Sequence, residues 1–304
     1  MISNPLIHPF FVPTMLRIAA LLILGLIVVI VVERRNIWPP TQNEMLKKCL
    51  SWSLISPIFM LAVLSGPAAM TVLVLGITTQ GLWEYGRLVQ LSPIYLNVLL
   101  LMGLLAAPVA LLSINGFFLL APLLLIFSTL QPLFYGTVKS GVRDLAFAVL
   151  GWGYISWLLA HIVLIHRHIP GGDGIVLAMA VSVALSDIGA FTFGKAFGRH
   201  LLSPRLSPNK TIEGVVGNFF GAFVGTAIMA FAVPREILAT FFLVMPALIG
   251  SGAVWGDLVE SAIKREFQVK DAGHWLPGFG GLLDRIDSLI IVTPLAYYFL
   301  HFVS

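Results

Sequence analysis

The sequence predicts an all-α, polytopic integral membrane protein with nine or ten transmembrane helices, and three observations carry that reading. Of 304 residues, 58% are hydrophobic and 11% charged, against about one quarter charged in soluble domains. The mean hydropathy is +0.96. Apolar runs of about 20 residues recur along the chain, the length that a hydrocarbon layer of roughly 30 Å demands of a helix satisfying its own backbone.

Taken in order, the runs read as spans are 15–32, 94–112, 117–135, 145–166, 174–194, 214–233, 236–255 and 286–303. The stretch 51–80 is interrupted by Ser65, Gly66 and Pro67 and reads as two short helices or a re-entrant pair. Residues 1–13 carry no basic segment of the kind that opens a secretory signal, so the first span is expected to stay in the mature protein. Cys49 is the single cysteine, which excludes an intramolecular disulfide and a cysteine-based metal cluster.

Lysine and arginine concentrate in the connections 33–48, 136–143, 195–213 and 256–287, which can all lie on the cytoplasmic side at once. Both termini then lie outside. The formal charge of +4 reports this bias and an attraction to anionic membrane lipids, and nothing in it calls for nucleic acid. The expected setting is a bacterial-type inner or plasma membrane with the working face towards the cytoplasm.

Charge divides the chain unevenly. Residues 257–287 hold ten charged side chains: Asp257, Glu260, Lys264, Arg265, Glu266, Lys270, Asp271, Asp284, Arg285 and Asp287. A second polar block, 186–214, carries Asp187, Lys195, Arg199, Lys210 and Glu213. Two spans separate the blocks, so they emerge on one membrane face and can build one site. Residues 1–140 are poor in such features and read as a packing shell, with 141–304 the chemical part of a single membrane domain. Glycines 217, 221 and 225, and Gly252 with Gly256, recur every fourth residue, a spacing that lets helices approach closely within one subunit or across a dimer.

Asp257, Glu260, Ser261 and Lys264 fall at helical offsets three, four and seven, and so share one face. Asp284, Asp287 and Ser288 repeat the arrangement where the last span begins. An internal salt bridge, such as Asp284 to Arg265, is the plain explanation for any single interfacial acid. Several acids together repel unless a cation joins them, and their mixture with Lys264, Arg265, Lys270 and Arg285 points to magnesium plus a polyphosphate. Glycines 278, 280 and 281 would let backbone amides approach an anion, although a turn after Pro277 asks for the same residues. The stretch "GAFTFGK" at 189–195 imitates a phosphate-binding loop, but Ala196 replaces the hydroxyl residue and no strand precedes it. Lys195 is instead expected to reach for the headgroups.

The segment "SAIKREFQVKDAGHWLPGFGGLLDRID", Ser261 to Asp287, resembles the signature of the phosphatidate cytidylyltransferases, also called CDP-diacylglycerol synthases. Lys264, Arg265, Lys270, Asp271, Pro277, Gly280, Gly281, Asp284, Arg285 and Asp287 stand in the family's pattern. Upstream, Ser186, Asp187, Gly194, Phe197, Gly198, Ser207, Pro208, Lys210, Thr211, Glu213 and Gly214 are similar too. One position departs: Phe279 stands where the family has histidine, which marks this chain as a divergent paralog, and His274 nearby reads as a polar loop residue.

The resemblance implies transfer of a cytidylyl group from CTP to phosphatidate, giving CDP-diacylglycerol and pyrophosphate. It implies that Asp257 and Asp284 hold Mg2+, with Asp271 and Asp287 completing the shell or a second cation site and Asp187 orienting Lys210 or a metal-bound water. Lys210, Lys264, Arg265, Lys270 and Arg285 would clamp the triphosphate and the lipid phosphate, with Ser207, Thr211 and Ser261 as hydrogen-bonding groups. The family's habit makes a homodimer an expectation. The alternatives are another lipid phosphate acceptor, such as a polyprenyl phosphate or an ether lipid, and a transporter or catalytically silent membrane scaffold.

Overall fold

The computed structural model of the chain describes residues 3–32, 44–135, 138–269, 273 and 280–303. Among these are eleven α-helices and a two-stranded hairpin: α1 (Phe11–Val32), α2 (Glu44–Leu64), α3 (Pro67–Leu88), α4 (Pro93–Leu112), α5 (Ile114–Tyr135), α6 (Val138–Gly151), α7 (His161–His168), α8 (Gly172–Phe197), β1 (Leu201–Ser203), β2 (Ser207–Thr211), α9 (Ile212–Ile228), α10 (Leu238–Glu266) and α11 (Leu283–Val303). Seven helical stretches are long and apolar enough to cross a membrane, with α9 and 114–130 as shorter apolar helices. The chain is an all-α polytopic membrane protein.

Most expected spans lie inside observed helices. The break at 65–67 is real, but both flanking helices run to full length, because α2 starts among polar residues at Glu44 and α3 continues through Glu84 and Arg87. Pro67 occupies the first turn of α3 behind Gly66, whose φ of 100° suits a residue without a Cβ. The expected span 145–166 is α6 and α7 joined through a π-helical turn, Trp152–Trp157. Prolines 57, 108, 246 and 294 sit inside helices, where neighbouring helices in a membrane tolerate them.

The chain's polarity across the membrane follows from its contacts. On one face Ser3 donates its amide to Ser65 O at 2.9 Å, His8 Nε2 pairs with Asp173 Oδ2 at 2.9 Å and His166 Nε2 lies 2.8 Å from Val63 O. The opposite face collects the C-terminal ends of α3, α8 and α10, the N-terminal ends of α9 and α11, and the hairpin. Helix α10 has 29 residues, or about 43 Å at 1.5 Å per residue, against a hydrocarbon core of roughly 30 Å. Its last turns, from Asp257 onward, therefore stand in the interface.

Helices α8, α9, α10 and α11 approach closely through the small residues singled out in the sequence. A Cβ at Gly217 would meet Gly189 O and Phe193, one at Gly221 would meet Leu185 O, and one at Gly225 would meet Ser182. The glycine face of α9 is thus filled by α8 of the same chain. Gly256 lies against the carbonyl of Asp287 and Gly252 against Val292, which brings α10 and α11 together where both carry acids.

Candidate active site

The acids converge. Asp257 and Glu260 on α10 and Asp287 on α11 each offer an oxygen, all within 4.8 Å of one another. Glu260 is 2% exposed and its Oε1 receives no hydrogen bond, while Oε2 meets Lys264 Nζ at 3.1 Å. A buried carboxylate oxygen with no donor and two further carboxylates beside it is costly as it stands, and it is the donor set that a hard divalent cation requires.

Asp284, 7% exposed, borders this group rather than joining the three. Its Oδ1 accepts from Lys264 Nζ at 2.7 Å and its Oδ2 from the Gly281 amide at 2.8 Å, while its side chain also abuts Glu260. Its ion-pair partner is thus Lys264, not Arg265, which donates from Nε to Leu206 O at 3.3 Å. Ser261 Oγ lies 3.5 Å from Asp257 Oδ1. Asp287 Oδ1 accepts from the Ser288 amide at 2.8 Å.

The polar block before α9 folds over these helix ends. Thr211 caps α9 by accepting the Gly214 amide at 3.1 Å, so its hydroxyl is engaged in holding the helix start. Glu213 gathers the preceding turn, accepting the amides of Arg199 (3.1 Å) and His200 (3.3 Å) and meeting His200 Nδ1 at 2.7 Å. With its root fixed in this way, the hairpin, in register Ser203 to Ser207, carries Lys210 onto Asp257 as an ion pair. Asp187 on α8 is exposed and lies in the field of Arg285, Asp257 and Lys210, with the Ser288 side chain in contact. Lys195 packs over the Phe191 ring at 5.7 Å.

Of the glycine-rich turn, Gly280 and Gly281 are among the described residues. Gly280 has a φ of 84°, as only glycine readily allows. The amides that follow meet the protein's own carboxylates: Gly281 donates to Asp284, and Leu282 and Leu283 donate to Glu84 Oε1 and Oε2 at 3.0 and 2.9 Å. Lys270 and Asp271, with His274, Pro277, Gly278 and Phe279, lie outside the described residues.

Two side chains in this region escaped the sequence reading. Tyr154, from the π-helical turn, donates to Gly256 O at 3.3 Å beside the acid cluster, and no residue pattern announces it. Glu84, 2% exposed, was visible as an acid in an apolar stretch, the kind of residue that is rarely idle in a membrane. Its segment otherwise reads as packing, which hides it.

The profile of the cytidylyltransferase family matches residues 46–303. The chain is 29% identical over 265 residues to a phosphatidate cytidylyltransferase of Bacillus subtilis, covering 84% of this chain and 98% of that protein. It is 39% identical over 152 residues to the phosphatidate cytidylyltransferase of Staphylococcus saprophyticus, covering 50% of this chain and 57% of that one. It is 36% identical over 175 residues to an uncharacterised protein, YnbB, of Escherichia coli, covering 57% and 54%. The chain thus spans about half the length of two of these relatives and nearly all of the third.

Proposed function

This chain belongs to the cytidylyltransferase family, and from that premise we propose that it transfers the cytidylyl group of CTP to a lipid phosphate, phosphatidate, yielding CDP-diacylglycerol and pyrophosphate. The observation that carries the reading is the meeting of Asp257, Glu260 and Asp287, with Lys210 and Lys264 paired to acids of that group or its border.

In the reaction an oxygen of the lipid phosphate attacks the α-phosphorus, and the bond from that phosphorus to the oxygen bridging it to the β-phosphate breaks. Pyrophosphate leaves with that oxygen. A phosphate monoester with a second pKa of about 6 is mostly doubly ionised at neutral pH and needs no base, so positioning and charge neutralisation dominate. Asp257, Glu260 and Asp287 would hold Mg2+, with Asp284 beside Glu260 able to serve a second cation. Such an ion neutralises charge building on the phosphates. Lys210 and Lys264, paired with acids in the structure, would turn to phosphate oxygens as substrate enters; Arg285 borders the same acids, and Arg265 anchors the hairpin. Asp187 would orient Lys210.

The placement suits the substrates. Acyl chains stay in lipid beside the exposed apolar belts of the helices while CTP arrives from water at the interface. Lys195, Arg199, Arg205, Lys210, Lys264 and Arg265 cluster towards this face, which favours the cytoplasmic side. The test is purified protein with radiolabelled CTP and Mg2+, offered phosphatidate, a polyprenyl phosphate and an ether-lipid phosphate in parallel. Labelled CDP-diacylglycerol is the expected product; label on a different lipid would reassign the acceptor, and no labelled lipid with any of the three would remove the reading.

A further inference from the structure

Glu84 belongs to α3, within the segment 1–140 whose expected task was packing, yet its contacts lie at the start of α11. Both of its oxygens are matched: Oε1 accepts from the Leu282 amide at 3.0 Å and from Gln80 Nε2 at 2.9 Å, and Oε2 accepts from the Leu283 amide at 2.9 Å. Gly273 and Gly281 lie close against this carboxylate. A Cβ at Gly281 would lie 2.6 Å from Oε2, and one at Gly273 would lie 3.0 Å from Oε1. Two glycines eight residues apart thus close on one side chain.

The first amides of a helix have no partner within it, and the positive end of its dipole favours an anion there. Here the anion comes from a helix more than 190 residues away in sequence. Leu283 is followed directly by Asp284, and Asp287 comes one turn later, so whatever fixes the amides of 282 and 283 also fixes the height and rotation at which α11 offers its two acids to α10. Because these amides are engaged by Glu84, they are not directed at substrate phosphate, and neutralisation there falls to the basic side chains.

We propose that Glu84 is a positioning residue of the cytidylyl-transfer site, setting α11 so that Asp287 joins Asp257 and Glu260 around a divalent cation; its kinetic part rests on the function proposed above. The test compares wild type with Glu84→Gln and Glu84→Asp in detergent. Three readouts are followed: hydrogen exchange of peptides covering 281–284, Mn2+ binding by electron paramagnetic resonance, and kcat with KM for CTP.

Glu84→Gln keeps the volume but presents an amide N–H2 to one backbone donor. Exchange at 281–284 should accelerate, Mn2+ affinity should fall about tenfold, and kcat should fall by up to about 10²-fold while KM for CTP changes less. Glu84→Asp keeps the charge with a shorter reach and should recover part of each loss. Should Glu84→Gln not fold, Glu84→Asp carries the same comparison against wild type. Faster exchange or a lower melting temperature with wild-type Mn2+ affinity and kcat would reduce Glu84 to a structural cap and overturn the proposal. A wild type that binds Mn2+ but transfers no cytidylyl group would instead refute the function, and the exchange and Mn2+ readouts would still decide the role of Glu84.

Discussion

Lys210, carried on β2, forms an ion pair with Asp257 on α10, so the hairpin is tied to the acid cluster by the same lysine that is proposed to bind phosphate. The lysine is 23% and the aspartate 41% exposed, so water reaches the pair and its strength alone is modest. That suits a contact that must exchange partners when substrate arrives.

Lys210→Ala removes this tie and a cation from the site. Activity should fall by about 10²- to 10³-fold, the scale of losing one charge-stabilising group in a transition state. Limited proteolysis within 201–211 should quicken, because among the described residues the bond from Arg265 Nε to Leu206 O is then left to hold the hairpin to α10. Steady-state kinetics and a digestion time course check the two halves.

Glu260→Gln keeps the shape of a buried side chain whose Oε1 receives no hydrogen bond. If that oxygen serves a cation, the Mg2+ concentration for half-maximal rate should rise about 10- to 100-fold. The melting temperature without metal should change little, since Gln keeps the volume and can still accept from Lys264. A magnesium titration of rate beside a melting curve separates the two effects.

How much of this was legible in the sequence differs from element to element. The apolar runs that became α4, α8 and α11 were bounded by Pro93, Gly172 and the Asp284–Asp287 pair, so their places were readable. The offsets of Asp257, Glu260 and Lys264 showed a helical face continuing past the apolar run, and α10 does continue to Glu266. The full length of α3 was hidden because Glu84 and Arg87 end its apolar stretch early. The π-helical turn at 152–157 has no residue signature. The grouping of Glu260 with Asp257 and Asp287, and of Asp284 with Lys264 and Gly281, depends on how α10 and α11 cross at Gly256; the Gly252 and Gly256 spacing announces a close approach but not which helix makes it.

Gly256→Ala tests that crossing. The added Cβ meets the backbone carbonyl of Asp287, an atom that cannot swing aside, so the helices must part. Overpacking of this kind costs about 1–3 kcal/mol, and activity should fall more than stability because the acids separate. Gly76→Ala is the control: nothing lies within 4 Å of a Cβ there, and relief of glycine's conformational freedom should stabilise α3 by about 0.5–1 kcal/mol. Melting curves and rates on both variants check the contrast.

Phe279 stands where the resemblance to the phosphatidate cytidylyltransferases leads one to expect histidine. Phe279→His should raise the rate or broaden acceptor choice if this position accounts for the divergence, measured with the same panel of lipid phosphates. Unchanged rate and acceptor choice would place the difference elsewhere.

The most direct measurement is pyrophosphate release by purified wild type, Asp257→Asn and Asp287→Asn, given CTP and phosphatidate with Mg2+ or with a chelator. Carboxylates from α10 and α11 sharing one cation predict release that needs lipid, nucleotide and metal together and that drops by about 10²-fold or more in either variant. Release at the wild-type rate from both variants, or in the presence of the chelator, would contradict it.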